Sequence, residues 1–134
     1  MQDRTTRKVN ERAGPRSMQT SLFKYYVIRY VPDMLEDVGI DFAVVAISDS
    51  QPSWMALKQI PTLDRVLELD AEADVDLINA LLAELITNIQ LDSQYMERAL
   101  QWENCIRVLP PKEFLTSDFE GTFSLLSNAE LGIG

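Results

Sequence analysis

The sequence predicts a small α+β domain, about four antiparallel strands with three to four helices packed mainly on one face. Three observations carry that expectation. Residues 24–50 hold the densest β-branched and aromatic content in the chain, in two runs separated by a loop containing Gly39. Ile78, Leu81, Leu82, Leu85, Ile86 and Ile89 recur at three- and four-residue spacing, which is the period of a helix. Prolines at 32, 52, 61, 110 and 111 cut the remaining sequence into short elements.

The first run, Lys24 to Val31, places Tyr25, Val27 and Val31 on one face and Tyr26, Ile28 and Tyr30 on the other, so it needs cover on both sides. Pro32 should end its ladder pairing. Phe42 to Ile47 repeats the two-faced pattern and pairs most simply as the antiparallel partner of the first run, making a central hairpin. Two apolar faces on that hairpin predict a surface that one chain has few helices to cover. A second layer of this chain, a copy of itself or a different protein would then supply the cover.

Trp54 to Ile60 reads as a third strand. Thr62 to Leu69 reads as a short helix capped by Thr62, although Val66 to Leu69 also tolerates a strand. The long helix follows, with Asp70 or Asp74 as its cap and Glu72 and Asp76 favouring the positive end of its dipole. Asp92 or Ser93 should cap another helix to about Glu103, with Met96, Ala99 and Leu100 inward. Cys105 to Leu109 reads as a short strand stopped by Pro110-Pro111. Thr116 or Ser117 should start a last helix carrying Phe119, Phe123 and Leu126, with Gly121 a weak point within it.

A chain of 134 residues fits one domain and is long enough to bury a core. The boundaries expected are a disordered basic arm over residues 1–22, one α+β domain over 23–128 and a frayed tail over 129–134. The arm has no apolar period and is a solvated tail, a contact for nucleic acid or an acidic partner, or an extension ahead of a natural start at Met18. The lone Cys105 cannot form an internal disulfide, which points to a reducing cytoplasm. No run approaches the ~18 apolar residues of a membrane span. The net charge of −9 is unevenly spread: residues 1–24 carry six basic and two acidic side chains, and residues 25–134 carry six and nineteen. Such a domain repels nucleic acid.

The run Tyr25 to Asp33, Y-Y-V-I-R-Y-V-P-D, the acidic helix start in Leu69 to Leu85, and the proline pair with its following basic residue and Asp-led helix in Ile106 to Leu126 are similar to a bacterial family catalogued as domain of unknown function 3037. The resemblance spans about residues 24–127. Where family members carry Glu, then Asn and Gly, this chain has Val38, Asp41 and Ala43. The resemblance implies no established activity. It implies a regulatory or adaptor role beside HipA-like serine/threonine kinases.

Asp33, Glu36, Asp37 and Asp41 crowd one loop beside the hairpin, where gathered carboxylates can hold Mg²⁺ or receive an Arg-rich partner, though their spacing fits no EF-hand. Arg29 stands in an apolar strand and needs an acceptor. An acidic loop residue such as Asp41 would supply it as an ion pair; otherwise Arg29 faces a ligand with help from Lys112. The chain contains no histidine, so Ser-His-Asp and Cys-His systems are excluded and Cys105 has no activating base. Trp54 and Trp102 are expected in the core, with interface anchors as the alternative. No cofactor motif is present. The sequence thus favours a non-enzymatic cytoplasmic interaction or regulatory module, with interaction candidates Arg29, Asp33, Glu36, Asp37, Asp41 and Lys112. A HipA-like kinase or a second copy is the expected partner. The alternative is a metal-dependent phosphoryl-processing enzyme using the Asp33 to Asp41 loop.

Overall fold

A computed structural model describes residues 20–33, 38–48, 54–92, 94–102 and 105–133. Five strands and four helices follow one another as β1 (Ser21–Asp33), β2 (Val38–Ser48), β3 (Trp54–Gln59), α1 (Asp64–Leu69), α2 (Val75–Leu91), α3 (Tyr95–Ala99), β4 (Ile106–Val108), β5 (Lys112–Thr116) and α4 (Phe119–Leu131). The antiparallel sheet has the order β3-β2-β1-β4, with β5 also paired to β1. The expected α+β architecture and central hairpin are therefore present. The arm through residue 19, the turn over 49–53, Ser93, and Glu36 and Asp37 lie outside the described residues, as does the side chain of Asp33.

The strands are longer than their most apolar runs. Pro32 lies inside β1, and pairing resumes beyond it at Asp33↔Val38 after a register irregularity. On the other edge, Ile28 pairs with Val108 and Tyr25 with Lys112, so three steps along β1 match four along its partner. Pro110 and Pro111 sit in that extra length, where missing donors cost no ladder bond. They break one edge strand into β4 and β5 without ending it, and β5 is a strand that the proline pair concealed.

A second bulge matters more for the site. Ile28 pairs with Ala43 but Arg29 pairs with Asp41, which makes Phe42 the extra residue of β2. Without it, Phe42 would stand opposite Arg29, and Asp41 would stand opposite Tyr30 on the other face. The bulge turns Asp41 toward Arg29 and frees Phe42 to be buried elsewhere.

Helices cover both sheet faces. Tyr26 and Tyr30 alternate onto one face, where their hydroxyls donate to Glu97 of α3 at 3.2 Å and to Asp70, just beyond α1, at 2.7 Å. There α2 packs on α3 and buries Ile78, Leu82, Leu85 and Ile89, one side of its predicted stripe. On the opposite face α4 lies over Phe23 and Tyr25. Its Phe119 ring centroid is 4.5 Å from that of Phe23 and 4.8 Å from that of Trp54. The uncovered face expected from the hairpin does not exist, because α4 closes it.

The helix ends are tied as well. Asp118 caps α4 by accepting from Gly121 N at 3.2 Å, and Asp74 caps α2 by accepting from Leu77 N at 3.0 Å. The residue before α1 is Leu63, with no side-chain cap of its own, and Thr62, one place earlier than a cap, accepts from Asp64 N at 3.3 Å. The helix expected to reach about Glu103 is the short α3. The tail does not fray from Ala129: α4 runs on to the buried Leu131, and Gly132 at φ 68° closes it, with Ile133 N donating to Asn128 O at 2.9 Å. Arg65 of α1 reaches across to donate to the Leu131 and Gly132 carbonyls at 2.9 and 3.3 Å, binding a cation to the negative end of α4.

Candidate functional site

Two places concentrate the features that a binding or catalytic site requires. The first is a row of charges on the α4 face. Arg29 Nε donates to Asp41 Oδ1 at 2.6 Å and Nη2 to Oδ2 at 3.4 Å, a two-pronged pair with both side chains about a quarter exposed. Arg107 of β4 stands directly across from Arg29, and two cations so placed repel unless a carboxylate intervenes. Asp41, on β2 at the other side of Arg29, offsets part of that charge from its flank, because the Phe42 bulge turns it toward Arg29. Among the described residues Arg107 Nε and Asn128 Oδ1 are buried without a partner.

Below this row, Lys112 Nζ donates to Glu130 Oε2 at 2.9 Å and Tyr25 donates to the same oxygen at 3.0 Å. The Lys112 hydrogen bond holds the Glu130 carboxyl below its usual range, and the same bond raises the Lys112 ammonium. Burial, followed by the Glu130 hydrogen bond, pushes the Tyr25 phenol up. This cluster fastens α4 to β1 and β5. Both bonds converge on one oxygen of Glu130, so its carboxylate works as the tie between the helix and the two strands.

The second place is a cleft of about 430 Å³ at the Tyr30 end of the sheet. Its apolar wall is built from Phe42, Ile60, Leu63, Leu67, Val75 and Leu82, and its polar atoms come from Gln59, Thr62 and Asn79. The local reason for it is legible. Val66 anchors α1 in the core, while Leu63 and Leu67, one turn apart, face the column Val75, Asn79 and Leu82 on α2. Asn79 holds the middle of that column, where an apolar side chain would close the contact, so the two helices leave a groove. The bulged Phe42 and Ile60 form the strand side, tied by Ile60 N donating to Phe42 O at 3.0 Å. No charged residue lines the groove, and Leu67 on its wall is 37% exposed. Its size lies in the lower part of the range of ligand clefts, ~300–1,000 Å³.

The sequence candidates divide accordingly. Arg29 and Asp41 meet as expected, and Lys112 lies in the neighbouring cluster, with Asp41 adding a weaker attraction. Among the described residues no group of three or more His, Cys, Asp or Glu is placed to hold a metal ion. Both Asp41 oxygens are already engaged by Arg29. Cys105 is half-buried, its thiol pushed up mainly by burial. Trp54 is exposed at the sheet edge, not in the core, and Trp102 is half-buried. Arg107, Glu130 and the whole groove escaped sequence reasoning. The available signals were Asn79 within an otherwise apolar helix flank and the density of acids over residues 64–76.

No described helix is long and apolar enough to cross a membrane. Comparison with protein-family models, with curated proteins and with solved structures finds no match.

Proposed function

We propose that this chain is a non-enzymatic protein-interaction module whose contact surface is the groove between α1 and α2. The observation that carries this reading is an apolar cleft left open, with Leu67 exposed on its wall, in a domain whose sheet faces are otherwise covered by its own helices. Open apolar surface of that kind marks binding sites. The residues with chemical potential support the same reading, since Arg29, Asp41 and Lys112 serve as ties within the fold. The resemblance to the domain of unknown function 3037 family adds a partner class, a HipA-like kinase in the cytoplasm, with self-association as the other. The acidic domain disfavours nucleic acid. The rival reading, a metal-dependent phosphoryl-processing enzyme on the Asp33 to Asp41 loop, would require Asp41 to leave Arg29.

The test is a comparison of the full chain with its Asn79→Trp variant, which fills the groove from an exposed position. Both should melt within about 2 °C of each other, as expected for a surface change. A protein recovered from the native host and then purified should bind the wild type at least about tenfold more tightly than the variant, a loss typical of a blocked anchor pocket. Equal binding would remove the groove from function. A Mg²⁺-dependent phosphate release that survives Asn79→Trp would replace the module with the enzyme.

A further inference from the structure

We infer that the groove receives a basic amphipathic segment of another protein, with apolar residues on one side and lysines or arginines flanking them. This inference rests on the interaction reading above and adds the partner's chemistry. The groove itself excludes a charged anchor, because its wall is apolar and its polar atoms belong to the neutral side chains and backbone of Gln59, Thr62 and Asn79. It has room for on the order of fourteen waters at ~30 Å³ each. Water against such a wall gains few hydrogen bonds, and its release by apolar side chains is the driving force for occupancy.

The flanks set the sign of the partner. Asp64 follows Leu63, Glu68 follows Leu67, and Asp74 and Asp76 bracket Val75, so exposed carboxylates run beside the wall residues on both helices. Asp64 and Glu68 are four residues apart and form their own column along α1, next to the Leu63 and Leu67 column. Residues 62–82 hold six acidic side chains and a single basic one, Arg65. Arg65 is spent on the carbonyls at the end of α4. Asp70 accepts from Tyr30 and Asp74 from the α2 backbone, but the side chains of Asp64, Glu68 and Asp76 bond to nothing among the described residues. An acidic or phosphorylated segment would meet uncompensated negative charge on both walls. A basic one would be steered in and held in register. Walls made by two helices, each presenting side chains one turn apart, suit a helical occupant with anchors at i, i+3, i+4 and i+7.

Two synthetic peptides test this, with leucines at those four positions and either lysine or glutamate at every flanking position. Binding to the full chain is read by fluorescence anisotropy. The lysine peptide should bind at least about tenfold more tightly than the glutamate peptide, and should weaken severalfold between ~0.1 and ~0.5 M salt as the flanks are screened. Asn79→Trp should abolish its binding. Replacing Asp64, Glu68 and Asp76 by Asn, Gln and Asn should bring the two peptides close to parity while the melting temperature stays unchanged. Equal affinity of both peptides for the wild type would overturn the charge assignment while leaving an apolar interaction groove in place. Binding of the lysine peptide that ignores Asn79→Trp would place it elsewhere on the acidic surface and overturn the proposal. In a third variant Arg4, Arg7, Lys8, Arg12 and Arg16 become Gln within the full chain. Tenfold tighter binding by that variant would identify the chain's own arm as the occupant, and would also overturn it. Failure of both peptides beside retained, groove-dependent binding of the native partner would sink this inference alone.

Discussion

Leu85 and Leu82 stand one turn apart on the buried side of α2, and truncating them to alanine should have different costs. Leu85 has no exposed surface, whereas Leu82 is 6% exposed and forms part of the groove wall. Each substitution removes three carbons, a transfer loss of about 2.4 kcal/mol at ~0.8 kcal/mol per carbon. At Leu85 the vacated space is sealed between helix and sheet, so a cavity term of up to about 2 kcal/mol adds to it. At Leu82 the space opens into the groove, water and relaxing neighbours fill it, and the cavity term largely vanishes. We expect about 3–4.5 kcal/mol for Leu85→Ala and about 2–2.5 kcal/mol for Leu82→Ala. Urea titration of both variants measures the difference, provided the slope of stability against denaturant is unchanged. If Leu82→Ala costs as much as Leu85→Ala, the groove is closed in solution. A cost below about 0.5 kcal/mol at either position would mean that α2 turns another side inward.

Gly121→Ala should fail to stabilise α4. The added Cβ would meet Asp118 Oδ2, so the helix-propensity gain of ~1 kcal/mol is offset by the loss of a cap of similar value. In an Asp118→Ala background the same change should stabilise by ~0.5–1 kcal/mol, and a double-mutant cycle that finds no such coupling would refute the steric account. Glu130 carries a pH dependence of definite sign. Its carboxyl is depressed in the folded state by Lys112, so the stabilisation is present above its unfolded pKa and is lost as pH falls through the lower folded value. Thermal melts of the wild type and Glu130→Gln should therefore converge on acidification from about pH 5 toward pH 3, and curves that stay parallel would show that the pair contributes nothing.

The sequence by itself determined the elements whose signal is local. A two-faced apolar hairpin, a long helix with Ile78, Leu82, Leu85 and Ile89 on one side, and an acidic cap at Asp70 or Asp74 are consequences of side-chain period and of unsatisfied helix donors. Both act within a few residues. Even the pairing of Arg29 with an acid such as Asp41 was legible, because a guanidinium in an apolar strand requires an acceptor. Tertiary structure alone decided what depends on residues far apart in the chain. Whether Pro110-Pro111 ends a strand or sits in a bulge depends on the register of β1, which lies some eighty residues away. The second sheet face is covered because α4, weakly periodic and interrupted by Gly121, is held there by Phe119 on Phe23 and by Glu130 on Tyr25 and Lys112. The groove is the clearest case. It arises where α1, α2 and the Phe42 bulge fail to close on one another, and a misfit among three elements leaves no periodic mark on any of them.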